Sequence, residues 1–260
     1  MSTLDKLLDI MALLRDPDKG CPWDVKQTFN SLSSYTVEEA YEVRDAIQRQ
    51  DDIDLQAELG DLLFQVIFYA QIAKEQNKFD FDDIMTTLSD KLVRRHPHVF
   101  SENNDLDEQA VQVQWEKIKQ AERTQKNRHT SLLDDIPSIL PALIRAQKIQ
   151  NRVSKSGFDW PSIDGVIAKV EEELLEVKEA IADNNETAIK EELGDLLFSC
   201  VNLIRFSGNN AEQQMAEANV KFERRFTALE TLLKQQDKVL EEASTDELEC
   251  LWNQVKEAEQ

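Results

Sequence analysis

The chain has 260 residues, of which 51 are acidic and 30 basic, giving a net charge of −21, and only six are glycine and six proline. So acidic a surface excludes a general nucleic-acid binder, which must neutralise phosphates with basic side chains. The scarcity of turn formers favours helices over a β architecture, and no apolar run approaches the roughly 20 residues of a membrane crossing. The length suits two domains, each able to bury a core. Three cysteines, Cys21, Cys200 and Cys250, form an odd set without paired spacing, which fits a reducing cytoplasm and no disulfides.

In chain order, residues 4–14 carry Asp5, Lys6 and Asp9 among apolar neighbours and read as an amphipathic helix, not a signal core. Pro and Gly keep residues 16–24 nonhelical. An acid-bearing helix follows, with Thr36 and Glu39 at capping-box spacing. Further helices are predicted over residues 52–76 and 82–95, the latter ended by His96-Pro97-His98. Residues 101–108 are polar and read as a loop, and a helix carrying Trp115 and Lys119 comes next. The stretch 126–140 is polar and then proline-punctuated, so it is taken as a linker between domains 1–125 and 141–260.

The second half repeats the first. Gly157-Phe158-Asp159-Trp160 loosely mirrors the turn at Gly20 to Trp23, and helices are predicted over 163–182, 186–206 and 210–235, with Gly208 ending the middle one. Glu172-Glu173-Leu174-Leu175-Glu176 and Glu192-Leu193-Gly194-Asp195 copy Glu38-Glu39-Ala40-Tyr41-Glu42 and Glu58-Leu59-Gly60-Asp61. The offset is constant, since 172 − 38 and 192 − 58 both equal 134. Residues three or four apart share a helix face, so two neighbouring helices would each present carboxylates to one space. Converging carboxylates repel and lose hydration, and a hard divalent cation relieves both costs. All-oxygen ligation suits Mg²⁺, Mn²⁺ or Ca²⁺, and Mg²⁺ commonly shares its shell with substrate phosphates. Gly60 and Gly194 weaken these helices by about 1 kcal/mol each, which close helix approach or room for a ligand would compensate.

Lys221-Phe222-Glu223-Arg224-Arg225 matches Lys91 to Arg95, and Trp252 to Lys256 echoes Trp115 to Lys119. Lys221 and Arg225 share a helix face and could clamp phosphate; a solvated basic face paired with acids is the plainer reading. Either tryptophan could be a core residue or a platform for a base.

EExxE, a spacer and ExxD, twice over, with KxxRR and WxxxK downstream, resemble the MazG family, as do the segments 20–24, 59–70 and 94–100. The resemblance covers nearly the whole chain. It implies an all-α fold of two tandem MazG-type domains contributing to four-helix-bundle homodimers. It also implies Mg²⁺-dependent hydrolysis of nucleoside triphosphates to monophosphate and pyrophosphate, with Mn²⁺ as substitute, broad base tolerance and a nucleotide-pool or stress role. By motif, Glu173, Glu176, Glu192 and Asp195 match metal ligands, and Glu172 an acid that could orient or activate water. Lys169, Lys221, Arg224, Arg225, Trp252 and Lys256 match nucleotide-contacting positions. Glu39, Glu42, Glu58 and Asp61 would form a second metal site. At the same offset Lys169 becomes Tyr35 and Asn202 becomes Phe68, so catalysis is expected in the second half and weak or no activity in the first.

Di-iron bundle proteins also array glutamates on four helices, but they need Glu-x-x-His. None of His96, His98 and His129 follows an acid of the repeated motifs at that spacing. A non-enzymatic helical dimer scaffold with vestigial acids is the remaining alternative.

Overall fold

The computed structural model describes residues 2–100, 107–125 and 131–259, with only the backbone described at 108, 109, 112, 116, 120 and 123–125. The chain divides into two compact units, Met1–Glu122 and Arg123–Gln260. It is all-α: among the described residues there is no strand. Unit 1 holds α1 (Thr3–Leu14), α2 (Phe29–Arg49), α3 (Asp52–Glu75), α4 (Phe81–Arg95), the single turn α5 (Pro97–Phe100) and all but the last three residues of α6 (Glu108–Gln125). Unit 2 holds α7 (Ala142–Ser154), α8 (Ile163–Ala182), α9 (Glu186–Phe206), α10 (Ala211–Gln235) and α11 (Thr245–Ala258). Residues 101–106, most of the predicted loop, and His129 lie outside the described residues.

Each unit is built on an antiparallel helix pair, α2 with α3 and α8 with α9. The two hairpins close in the same way. Gln50 and Asn184 take left-handed φ of 57° and 52°, and the next residue, Asp51 or Asn185, caps the second helix through its side chain. Left-handed backbone is tolerated where a polar residue can stop a helix and let the chain reverse.

In unit 1, α1 and α4 pack on α3, and Met11, Leu32, Ile67, Phe68, Ile72 and Phe81 form the core. Arg15, nearly buried, ties the segment after α1 to this core. It grips Glu75 at 2.8 and 2.6 Å, donates to the Asp24 carbonyl at 2.6 Å, and lies over the Phe68 ring. In unit 2, α7 and α10 pack on α9, while α11 closes on α10 through Leu229, Leu233, Leu251 and Val255. The second half of the predicted linker is docked on α7: Arg152 donates to the Leu132 carbonyl, pairs with Asp135, and Ile136 is buried.

Two expectations fail. Thr36 is not a helix start. The helix begins just over two turns earlier at a Thr28/Ser31 capping box, because Phe29 and Leu32 already belong to its core-facing stripe. Thr36 instead bonds back to the Leu32 carbonyl and meets the Tyr69 hydroxyl at 2.7 Å. Nor does close helix approach explain Gly60 and Gly194. A Cβ on either would meet nothing within 4 Å, which leaves open space as the compensation to consider.

Candidate functional site

α8 places Val166, Lys169, Glu173 and Glu176 on one stripe, and α9 does the same for Glu192, Asp195, Ser199 and Asn202, at alternating spacings of three and four. Packing of the two helices brings carboxylate oxygens of Glu173, Glu176 and Glu192 within 4.8 Å of one another. Asp195 stands outside that trio but lines the same cavity as Glu173. Glu173 is 5% exposed. One of its oxygens accepts from Lys169 Nζ at 2.7 Å, while Oε2 is buried without a hydrogen-bond partner. Lys169 also holds Glu172 Oε1 at 2.9 Å, and these two bonds raise its pKa. Burial, then the fields of Glu173 and Glu192, push the Glu176 carboxyl up despite Lys169.

A cavity of about 650 Å³ opens beside the trio. Val153, Phe158, Trp160, Val166 and Phe198 give it apolar walls; Gln150, Lys169, Glu173, Asp195, Ser199 and Asn202 are its polar points. Arg205 locks the 157–160 turn over it. Its guanidinium meets Asp159 at 2.5 and 3.1 Å, and although burial opposes ionisation, this contact holds the Asp159 carboxyl below its ordinary value. Of these residues, sequence reasoning missed Gln150, Ser199 and Arg205 as site candidates. Ser199 was within reach, since it continues the stripe of Glu192 and Asp195.

Lys221, Arg224, Arg225, Trp252 and Lys256 do not line this cavity. They gather on α10 and α11. Arg224 and Arg225 both bind Glu259, at 2.7 Å each, which lowers its pKa. Lys221 is exposed, and Lys256 reaches Asn253 at 3.4 Å. Trp252 is half-buried against the α10–α11 core, with its ring 5.3 Å from Phe222, as a core tryptophan would be.

Unit 1 repeats the acids in a different setting. Oxygens of Glu39, Glu58 and Asp61 come within 4.8 Å of one another, with Glu42 outside the trio. Tyr35 replaces the lysine, and burial followed by repulsion from neighbouring carboxylates, Asp61 and Glu42 among them, raises the carboxyls of Glu39 and Glu58. Phe68, at the Asn202 position, is fully buried and packs edge-on against Phe64. The Arg94/Arg95 pair binds Glu122, whose carboxyl is held down to about 2 by those guanidiniums.

The duplicated acid hairpins coincide with two matches to the MazG nucleotide pyrophosphohydrolase domain, over residues 27–100 and 162–228. The chain belongs to the MazG family. Both matched regions contain an acid trio, whereas α7, the 157–160 turn and α11 fall outside the MazG matches. Among MazG relatives, a nucleoside triphosphate pyrophosphohydrolase of Escherichia coli K12 is 49% identical, covering 100% of this chain and 99% of that protein. The nucleoside triphosphate pyrophosphohydrolase/pyrophosphatase MazG of Thermotoga maritima is 43% identical over 97% of this chain and 95% of its own length. A nucleoside triphosphate pyrophosphohydrolase of Mycolicibacterium smegmatis is 41% identical over 64% of this chain and 51% of its own.

Proposed function

We propose that this chain hydrolyses nucleoside triphosphates to nucleoside monophosphate and pyrophosphate, with broad base tolerance, and that unit 2 is the catalytic half. The observation that carries this reading is the meeting of Glu173, Glu176 and Glu192 beside a cavity that also takes in Lys169 and Asp195. The reaction itself is the one named for the relatives.

The donor set fits a hard cation. Its atoms are all carboxylate oxygens, and the buried, unpartnered Glu173 Oε2 is costly unless a ligand takes it up. Glu173, Glu176, Glu192 and Asp195 would hold Mg²⁺, or Mn²⁺ in its place. When bound, the cation supplies charge neutralisation and polarisation of phosphoryl oxygens. Lys169, poised between Glu172 and Glu173, would turn to a phosphate oxygen once the acids are otherwise neutralised. Glu172, exposed next to the trio, is the carboxylate that would orient or activate the attacking water. Lys221, Arg224, Arg225 and Lys256 would add positive charge for the departing pyrophosphate, with Trp252 buttressing their helices and Glu259 giving up the arginines.

Unit 1 would be a weak or inactive copy, its acids kept but its cavity residue replaced by the buried Phe68. A homodimer is supported by the exposed Leu174, Leu175, Leu193 and Leu197 on the central hairpin, since a second copy would cover that apolar face. Free Cys21, Cys200 and Cys250 suit a cytoplasmic site, and no described helix is long and apolar enough to cross a membrane. The charge of −21 argues against nucleic-acid partners.

Pyrophosphate release from mixed NTPs, with and without Mg²⁺, is the test. Glu176→Ala or Asp195→Ala should abolish metal-dependent release while circular dichroism stays native, and Glu42→Ala or Asp61→Ala should spare most of it. Loss from the unit 1 changes alone would reverse the assignment of halves. No metal-dependent release by the intact protein would favour the scaffold.

A further inference from the structure

Two amides in the unit 2 cavity have their orientation fixed by partners that leave no ambiguity. Gln150, 5% exposed, donates from Nε2 to the Phe198 carbonyl at 2.8 Å. A carbonyl can only accept, so Oε1 is the other end, and it is buried with no partner. Asn202 Oδ1 accepts from Arg205 Nε at 2.8 Å. A guanidinium can only donate, so the amide nitrogen is the free end of Asn202, without a hydrogen bond among the described residues. Arg205 is itself anchored by Asp159, which keeps Asn202 from turning over. Both side chains line the cavity, so one spare acceptor and one spare donor border a space with flat apolar walls that include Phe158, Trp160 and Phe198. Unit 1 has the apolar Phe68 where Asn202 stands and loses the donor.

We propose that Gln150 and Asn202 are a base-reading pair: Gln150 Oε1 accepts from an N–H on the edge of a nucleobase, and the Asn202 amide donates to the neighbouring acceptor. The inference rests on the triphosphate reading above and adds how its substrate is recognised. Adenine offers its 6-amine beside N1, cytosine its 4-amine beside N3, guanine N1–H beside O6, and uracil N3–H beside O4. Adenine and cytosine thus offer the two groups in one order and guanine and uracil in the reverse, so the pair takes both classes when the ring shifts between them, while an edge that lacks either member leaves a buried amide group unpaired. A site built to hydrogen-bond an N–H rejects the analogue without it far more strongly than an apolar pocket could.

The test compares kcat/KM for ATP, purine riboside 5′-triphosphate, which lacks the 6-amine, and 1-deaza-ATP, which lacks N1. Wild-type protein should favour ATP over each analogue by at least about tenfold. Gln150→Met, close in shape and without the amide, should bring the ratio of ATP to purine riboside triphosphate near one, chiefly through KM, and leave the 1-deaza ratio in place. Equal use of ATP and both analogues by the wild type overturns the pair, and this comparison decides even if Gln150→Met does not fold. A folded Gln150→Met that keeps the full preference for the amine overturns the role of Gln150. Failure to hydrolyse any NTP sinks the parent reading instead, so the two failures are distinguishable.

Discussion

Removing the ammonium of Lys169 probes how the unit 2 acids are held together before any cation arrives. Nζ lies 2.7 Å from Glu173 Oε1 and 2.9 Å from Glu172 Oε1, with the Glu173 side chain 7% and the Lys169 side chain 35% exposed. An exposed ion pair is worth about 0.2–1 kcal/mol, whereas deleting one member of a fully buried pair costs about 3–5 kcal/mol. With one partner buried and the other partly exposed, Lys169→Met should cost about 2 kcal/mol, or roughly 6 °C in Tm for a unit of this size. A divalent cation at the proposed site would supply the missing positive charge and bind only the folded hairpin, so millimolar Mg²⁺ should shrink the deficit to below about 0.5 kcal/mol. Urea unfolding followed by circular dichroism, in EDTA and in Mg²⁺, measures both values without the screening that guanidinium would add. A deficit of the same size in both media would refute the idea that lysine and cation neutralise the same acids.

Asn202→Phe, which copies Phe68 of unit 1, should fill the cavity with a ring: the unfolding midpoint is expected to hold or rise while pyrophosphate release falls at least about 100-fold. Unimpaired release from the folded variant would separate the cavity from the site. The hydrogen bonds from Arg15 hold the Glu75 carboxyl below its ordinary value of 4.5. A depressed folded-state pKa contributes stability that is full above about 4.5 and is lost as pH falls through the folded value. Glu75→Gln should therefore cost roughly 1–3 kcal/mol at neutral pH and give a shallower loss of stability below pH 4.5 than the wild type. Urea midpoints at pH 7 and pH 3 that fall in parallel for the two proteins would count against this account.

What the sequence discloses about this molecule is what recurs at helical period or after a Gly, Asn or Pro stop. The acid stripes on α8 and α9, their copies on α2 and α3, and the bounds of the long helices are all properties of short windows, since neighbours three or four residues apart decide them. Thr36 shows the limit of that reasoning, because a Thr-x-x-Glu signal matched locally yet lost to the earlier box at Thr28, whose helix gains the buried Leu32 and the partly buried Phe29. Other features depend on chain segments meeting. Gln150 becomes a cavity residue only when α7 lies on α9 and its amide finds a carbonyl 48 positions away. Arg205 reaches across 46 positions to Asp159. Asn202 stands between these cases: its place on the Glu192 stripe was legible, but which end of its amide faces the cavity was not, because that is decided by Arg205. The acid cluster proposed to hold a cation is thus written into local spacing, while the donor and acceptor proposed to face a base are set by tertiary contacts. Relatives that share the acid motifs can on this argument differ in what they recognise through changes at α7 and the 157–160 turn, which lie outside the matched domain.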